Sequence, residues 1–164
     1  GGATVECWTV GAGQVANLDY ANSGIYLMET EVLGPLTTIA PGGSTHFTIE
    51  WGSCRCNGVV VDVQPGGCAA TRLTAQLAGD QVHLTGSFGV FDAGELLVVW
   101  CSATGQALDL TPWARVEPLT AIELDLTVRK PDMATRVELR VRAAADGTER
   151  RLAKADLREG TNHV

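Results

Sequence analysis

The chain has 164 residues, 45% of them hydrophobic, 19% charged and 5% aromatic, with a formal net charge of −7. That length and apolar content suit one medium domain or two small ones and exclude a disordered chain. The acidic balance argues against a nucleic-acid partner, which needs a cationic face, and no apolar run is long enough to span a membrane.

From the N-terminus onward the dominant period is two, the signature of half-buried strands. The opening stretch lacks a basic and then apolar leader, so any signal peptide is expected to have been removed. Trp8 falls out of phase with Val5 and Cys7, which turns it outward. Residues 15–20 run into an Asn22-Ser23-Gly24 turn, and Pro41-Gly42-Gly43 leads into residues 45–51. Alternation there predicts a strand with Phe47, Ile49 and Trp51 inward and His46, Thr48 and Glu50 outward. Asn57-Gly58 and Pro65-Gly66-Gly67 bracket a Val-rich strand at 58–63. His83 sits in another strand between Val82 and Leu84, and residues 96–101 place Trp100 in a core. Residues 121–129 turn Ile122, Leu124, Leu126 and Val128 inward against Glu123, Asp125, Thr127 and Arg129. Residues 135–142 do the same with Val137, Leu139 and Val141. Asp146-Gly147 supplies a turn before residues 150–158, read as a strand in preference to a helix. The fold class expected is all-β, an antiparallel Ig-like β-sandwich.

A faint internal repeat organises these strands. Residues 39–51 recur as 116–128, residues 59–63 align with 137–141, and Arg72-Leu73 aligns with Arg151-Leu152. This predicts two tandem modules, residues 1–79 and 80–164, joined near Ala78-Gly79-Asp80. The alternative is one jelly-roll sandwich using all the strands. Charge divides near the same place: residues 1–80 hold only Arg55 and Arg72 against seven acids, whereas the second half is mixed in sign.

The first half carries Asn22 and Gly24, then Pro41, Gly42 and Gly43, then the alternating Phe47, Ile49 and Trp51. This arrangement resembles prokaryotic accessory Ig-like modules of the CARDB kind, which occur in secreted bacterial proteins. The second half keeps Pro118 and its following strand, with Leu119 and Thr120 in place of the glycines and Ala103-Thr104-Gly105 in place of Asn-Ser-Gly. The resemblance implies an extracellular or cell-surface spacer, scaffold or adhesive module, from a family with no common catalytic residues.

Five cysteines lie at Cys7, Cys54, Cys56, Cys68 and Cys101. In an oxidising compartment they read as two disulfides and an odd thiol. Cys54 and Cys56 are too close to bridge each other. One of them is therefore expected to join Cys68, closing a loop worth about 2–3 kcal/mol. The other would take Cys7 and leave Cys101 over. A zinc site matches poorly, because its ligands usually come in pairs two to four residues apart on knuckles. His46, His83 and the outward acids stand in rows on strand faces, with no nucleophile–base arrangement, so no catalytic residue, metal or cofactor is expected. Trp8 and Trp113 are the candidates for contact with a glycan or a protein; Trp51 and Trp100 are assigned to cores. The function expected is a non-enzymatic structural or adhesive protein with a protein partner or self-assembly, such as a surface, filament or virion-decoration subunit. A carbohydrate-binding module is the alternative.

Overall fold

A computed structural model describes the backbone of residues 4–10 and 27–159 and the side chains of residues 30–157. The strands are all-β as expected, with no helix among the described residues. The chain divides into two compact units, Gly1–Trp51 and Gly52–Val164.

In the first unit, β1 (Thr4–Val10) and β2 (Leu27–Leu33) pair antiparallel without a register break, from Thr4↔Leu33 to Val10↔Leu27. Residues 34–51 add no strand. They turn at Pro41-Gly42, where the Gly43 N–H donates to the Ala40 carbonyl at 2.9 Å. The strand expected over residues 45–51 is thus corrected to irregular backbone. Phe47 and Ile49 are each 49% exposed and Trp51 is 89% exposed, so Trp51 is not a core residue. Alternation encodes a face to be buried, and it becomes a strand only where a partner strand and a covering layer exist. Among the described residues of the first unit, β1 and β2 pair only with each other, and a lone two-stranded sheet is marginal in water. Phe47 instead rests its ring over Gly34, where an added methyl would come within 3.1 Å of it.

The second unit holds β3 (Asp62–Gln64), β4 (Gly67–Ala78), β5 (Gln81–Val90), β6 (Gly94–Cys101) and β7 (Ala107–Val116). It continues with β8 (Ile122–Arg129), β9 (Arg136–Ala143), β10 (Glu149–Asp156) and β11 (Arg158–Glu159). One sheet has the order β10-β9-β6-β7, and the other β11-β4-β5-β8, with β3 on β4. All pairs are antiparallel except β11 with β4. The core is what the alternation of β5, β6, β8 and β9 dictates. Val82, Leu84, Phe88 and Val90 meet Leu96, Val98, Trp100, Ile122, Leu124, Val137, Leu139 and Val141. Each fully buried side chain of this size contributes roughly 1.5–3 kcal/mol of transfer free energy. Leu126 and Val128 lie half-buried at its margin.

Strand β6 is buried on both faces. Leu97, Val99 and Cys101 turn away from the core yet are fully covered. The register sets Arg140, Glu138 and Arg136 of β9 beside them, and long arginine stems shield apolar neighbours in this way.

The boundary expected at residues 79/80 falls on the tip of a hairpin. Ala78 pairs with Gln81, and Gly79, at φ 65°, with Asp80 forms the two-residue turn joining β4 to β5 within one sheet. Residues 59–61 likewise lie exposed outside any strand, whereas their supposed repeat partners form the buried β9. The apparent repeat matched alternation, a property shared by all half-buried strands.

Candidate functional site

The side chains that alternation turns away from the core on β5 are His83, Thr85, Ser87 and the bare position Gly89. Cys68 on β4 pairs with Gly89 and shares that outer face. An outward residue on a sheet should be solvated, but Cys68 is only 4% exposed, because residues 53–58 lie across it as a strap. The Arg55 N–H donates to the Pro118 carbonyl at 2.7 Å, and Asn57 Nδ2 donates to Glu123 Oε1 at 2.8 Å. Gly89 allows the approach: an added Cβ would stand 2.6 Å from the Arg55 carbonyl oxygen and 2.8 Å from Cys54 Sγ.

Two sulfurs meet beneath the strap, with a third close by. Cys54 Sγ lies 3.3 Å from Cys68 Sγ. Cys56 is near enough to perturb the Cys68 thiol, and it donates to the Gly58 carbonyl at 3.6 Å. Burial pushes the Cys68 thiol above its ordinary pKa, with Cys54 adding to the rise, and burial beside Cys68 raises Cys56 as well. Cys54 and Cys56 stand two residues apart, a spacing that sends side chains to the same side of an extended backbone. Cys-x-Cys therefore presents two thiols to one. All three are thiols in this structure, as is Cys101; the side chain of Cys7, the expected partner of the second strap cysteine, lies outside the described residues. The three sulfurs are not arranged to hold a metal ion, nor is any other His, Cys, Asp and Glu group among the described residues.

The strap is held by a polar cluster that strand register creates. Ser87 pairs with Glu123 across β5 and β8, and its hydroxyl donates to Glu123 Oε1 at 2.8 Å. Ser87 and Asn57 together hold the Glu123 carboxyl below the usual carboxylate range. Further along the face, His83 Nε2 stands 2.8 Å from Asp125 Oδ1 in an exposed pair. Sequence reasoning identified Glu123 and Asp125 as outward acids but missed Ser87, Asn57 and Gly89. Their roles depend on which strand lies beside which, and alternation does not carry that information.

The remaining expected residues are dispersed. Cys101, read as the odd thiol, is fully buried on β6 in the other sheet, which closes it to bridges between copies. Trp8 belongs to β1, and its side chain lies outside the described residues. Trp113, on edge strand β7, is half-buried and packs against the core, so its ring is not a free platform. The outer face of β9 and β10 carries the mixed charges noted in the sequence. Arg140 pairs with Glu138 at 2.7 Å and Arg142 with Glu149 at 2.9 Å. A cleft of about 860 Å³ opens beside Glu95, Arg115, Glu117 and Arg142. Its charges are partly committed: Arg142 pairs with Glu95 at 3.4 Å, and Glu117 accepts from Thr120 at 2.8 Å.

No protein-family model, curated protein or solved structure matches the chain. The functional reading therefore rests on these residues alone.

Proposed function

We propose that the protein is a non-enzymatic structural or adhesive subunit of an extracellular or cell-surface assembly, acting through association with a protein surface, a second copy of itself first of all. One observation carries this reading. Leu36, Ile39, Phe47, Ile49 and Trp51 are all exposed on the short strandless stretch after β2. Isolated exposed apolar residues are ordinary, but a concentration of large ones on one segment marks a surface that another protein covers. The convergence of Cys54 and Cys68 supports an oxidising compartment. The strand order of the second unit supports the Ig-like reading. Its first, second and fifth long strands form one sheet, and its third, fourth, sixth and seventh form the other, which keeps the first-second-fifth and third-sixth-seventh groupings of an Ig-like sandwich.

Sedimentation velocity over a wide concentration range tests association. The wild type should form larger species as concentration rises, and a Phe47→Ser, Ile49→Ser, Trp51→Ser variant should stay monomeric. A wild type that remains monomeric throughout overturns self-association. Carbohydrate binding is the second reading, favoured by the 89% exposure of Trp51, whose ring is the most accessible described indole. A glycan array separates the two. Hits abolished by Trp51→Ala and retained by Trp113→Ala would establish a sugar platform, whereas an array without hits removes it.

A further inference from the structure

We propose that Cys54, Cys56 and Cys68 form a thiol–disulfide exchange site in which a single disulfide made at Cys68 passes between the two strap cysteines. The inference is independent of the assembly reading. Cys68 is fixed in the middle of a sheet, paired on β4 with Gly89 of β5. Its two possible partners sit on the strap, which is tied to the sandwich by the Arg55–Pro118 and Asn57–Glu123 hydrogen bonds. Closing the 3.3 Å gap between Cys54 and Cys68 to a bond of about 2.05 Å asks the strap to move by little more than an ångström. Cys56 follows on the same strap two residues after Cys54, which stands 3.3 Å from Cys68 Sγ, and is near enough to perturb the Cys68 thiol. A purely structural bridge needs two cysteines; this site has three, with the buried one shared.

The chemistry balances with a low-molecular-weight disulfide such as oxidised glutathione as oxidant. A strap cysteine, half-buried where Cys68 is fully buried, attacks the glutathione disulfide as its thiolate and expels one glutathione thiolate. Cys68 then attacks the strap sulfur of that mixed disulfide and expels the second. Two protein thiols are oxidised, their two protons pass through solvent to the two expelled glutathione thiolates, and one glutathione disulfide is thereby reduced to two thiols. Transfer afterwards needs no oxidant. The Cys56 thiolate attacks Cys68 Sγ, the Cys54–Cys68 bond breaks, and Cys54 leaves as a thiolate that takes up a proton. The transfer shifts the tether of the strap by two residues.

The sequence makes the isomers readable. There is no Lys or Arg before Arg55, and the next after it is Arg72. Trypsin therefore leaves Cys54 on residues 1–55, and Cys56 together with Cys68 on residues 56–72. The whole chain is equilibrated in glutathione buffer, quenched with acid, alkylated, digested and analysed by mass spectrometry, with a chymotrypsin digest separating Cys7 from Cys54. Wild type should give one bond per molecule distributed over two products, residues 1–55 linked to 56–72 and a looped 56–72. Cys56→Ser should give only the linked product and Cys54→Ser only the loop. Cys68→Ser should give neither, with glutathione on the strap cysteines. Wild type isolated in one form should relax to the same mixture once glutathione is removed. A single wild-type isomer that persists, or bonds that bypass Cys68, would overturn the proposal. Native alkylation of the buried Cys101 flags any misfolded variant, and the wild-type isomers alone then decide.

Discussion

Two residues determine how the strap sits. A methyl at position 89 would meet the Arg55 carbonyl oxygen at 2.6 Å, and a backbone atom held by the Arg55–Pro118 hydrogen bond cannot swing aside as a side-chain tip would. Gly89→Ala should therefore lift the strap and destabilise the second unit by about 1–3 kcal/mol in urea unfolding. Alkylation of Cys54 and Cys68 in the native state should accelerate, and an unchanged midpoint with unchanged alkylation would show the strap to be loosely held. Glu123 acts from the other end. Its carboxylate accepts from Ser87 and Asn57, which lowers its folded pKa below the unfolded value. A depressed carboxylate stabilises the fold above the unfolded pKa, and that contribution is lost as pH falls through the folded one. Glu123→Gln should accordingly flatten the loss of stability on acidification below about pH 4, where free glutamate titrates. Parallel wild-type and variant curves would separate Glu123 from the acid response.

Among the elements, identical patterns had different outcomes according to what lay opposite them. Residues 121–129 and 135–142 read as strands and became β8 and β9, with Val137, Leu139 and Val141 buried as the alternation required. Residues 45–51 alternate as cleanly and form no strand. The difference is a partner. Strand β9 lies between β6 and β10, whereas among the described residues of the first unit no strand pairs with residues 45–51. The sequence made the period and the inward face of β8 and β9 legible, together with most of the sandwich core. It did not reveal pairing, and so left the strap, the Ser87–Glu123 contact and the hairpin at Gly79-Asp80 unread. Two phenylalanines put this contrast to measurement. Phe88 is fully buried on β5 and Phe47 is half-exposed on the strandless segment. Phe88→Ala should cost about 3–5 kcal/mol and Phe47→Ala no more than about 0.5 kcal/mol, with unfolding followed by the fluorescence of core Trp100. Comparable losses at the two sites would mean that residues 45–51 are buried in solution.

For the whole molecule, the decisive fact is where the core residues come from. Among the described residues, the large buried apolar cluster runs from Ala69 to Ala153, all within Gly52–Val164. A domain folds alone when its own elements complete its core, so residues 52–164 should form an independent folding unit. Chymotrypsin offers a direct test. Phe47 and Trp51 are exposed on irregular backbone, whereas Phe88 and Trp100 are buried in central strands, and proteases cut accessible irregular segments first. Brief digestion should cleave at Phe47 or Trp51 and leave a resistant fragment from there onward. That fragment should unfold cooperatively with a midpoint close to that of the intact chain. A fragment that loses its dispersed amide spectrum, or early cleavage within β5 or β6, would mean that residues 1–51 supply part of the packing that holds the sandwich together.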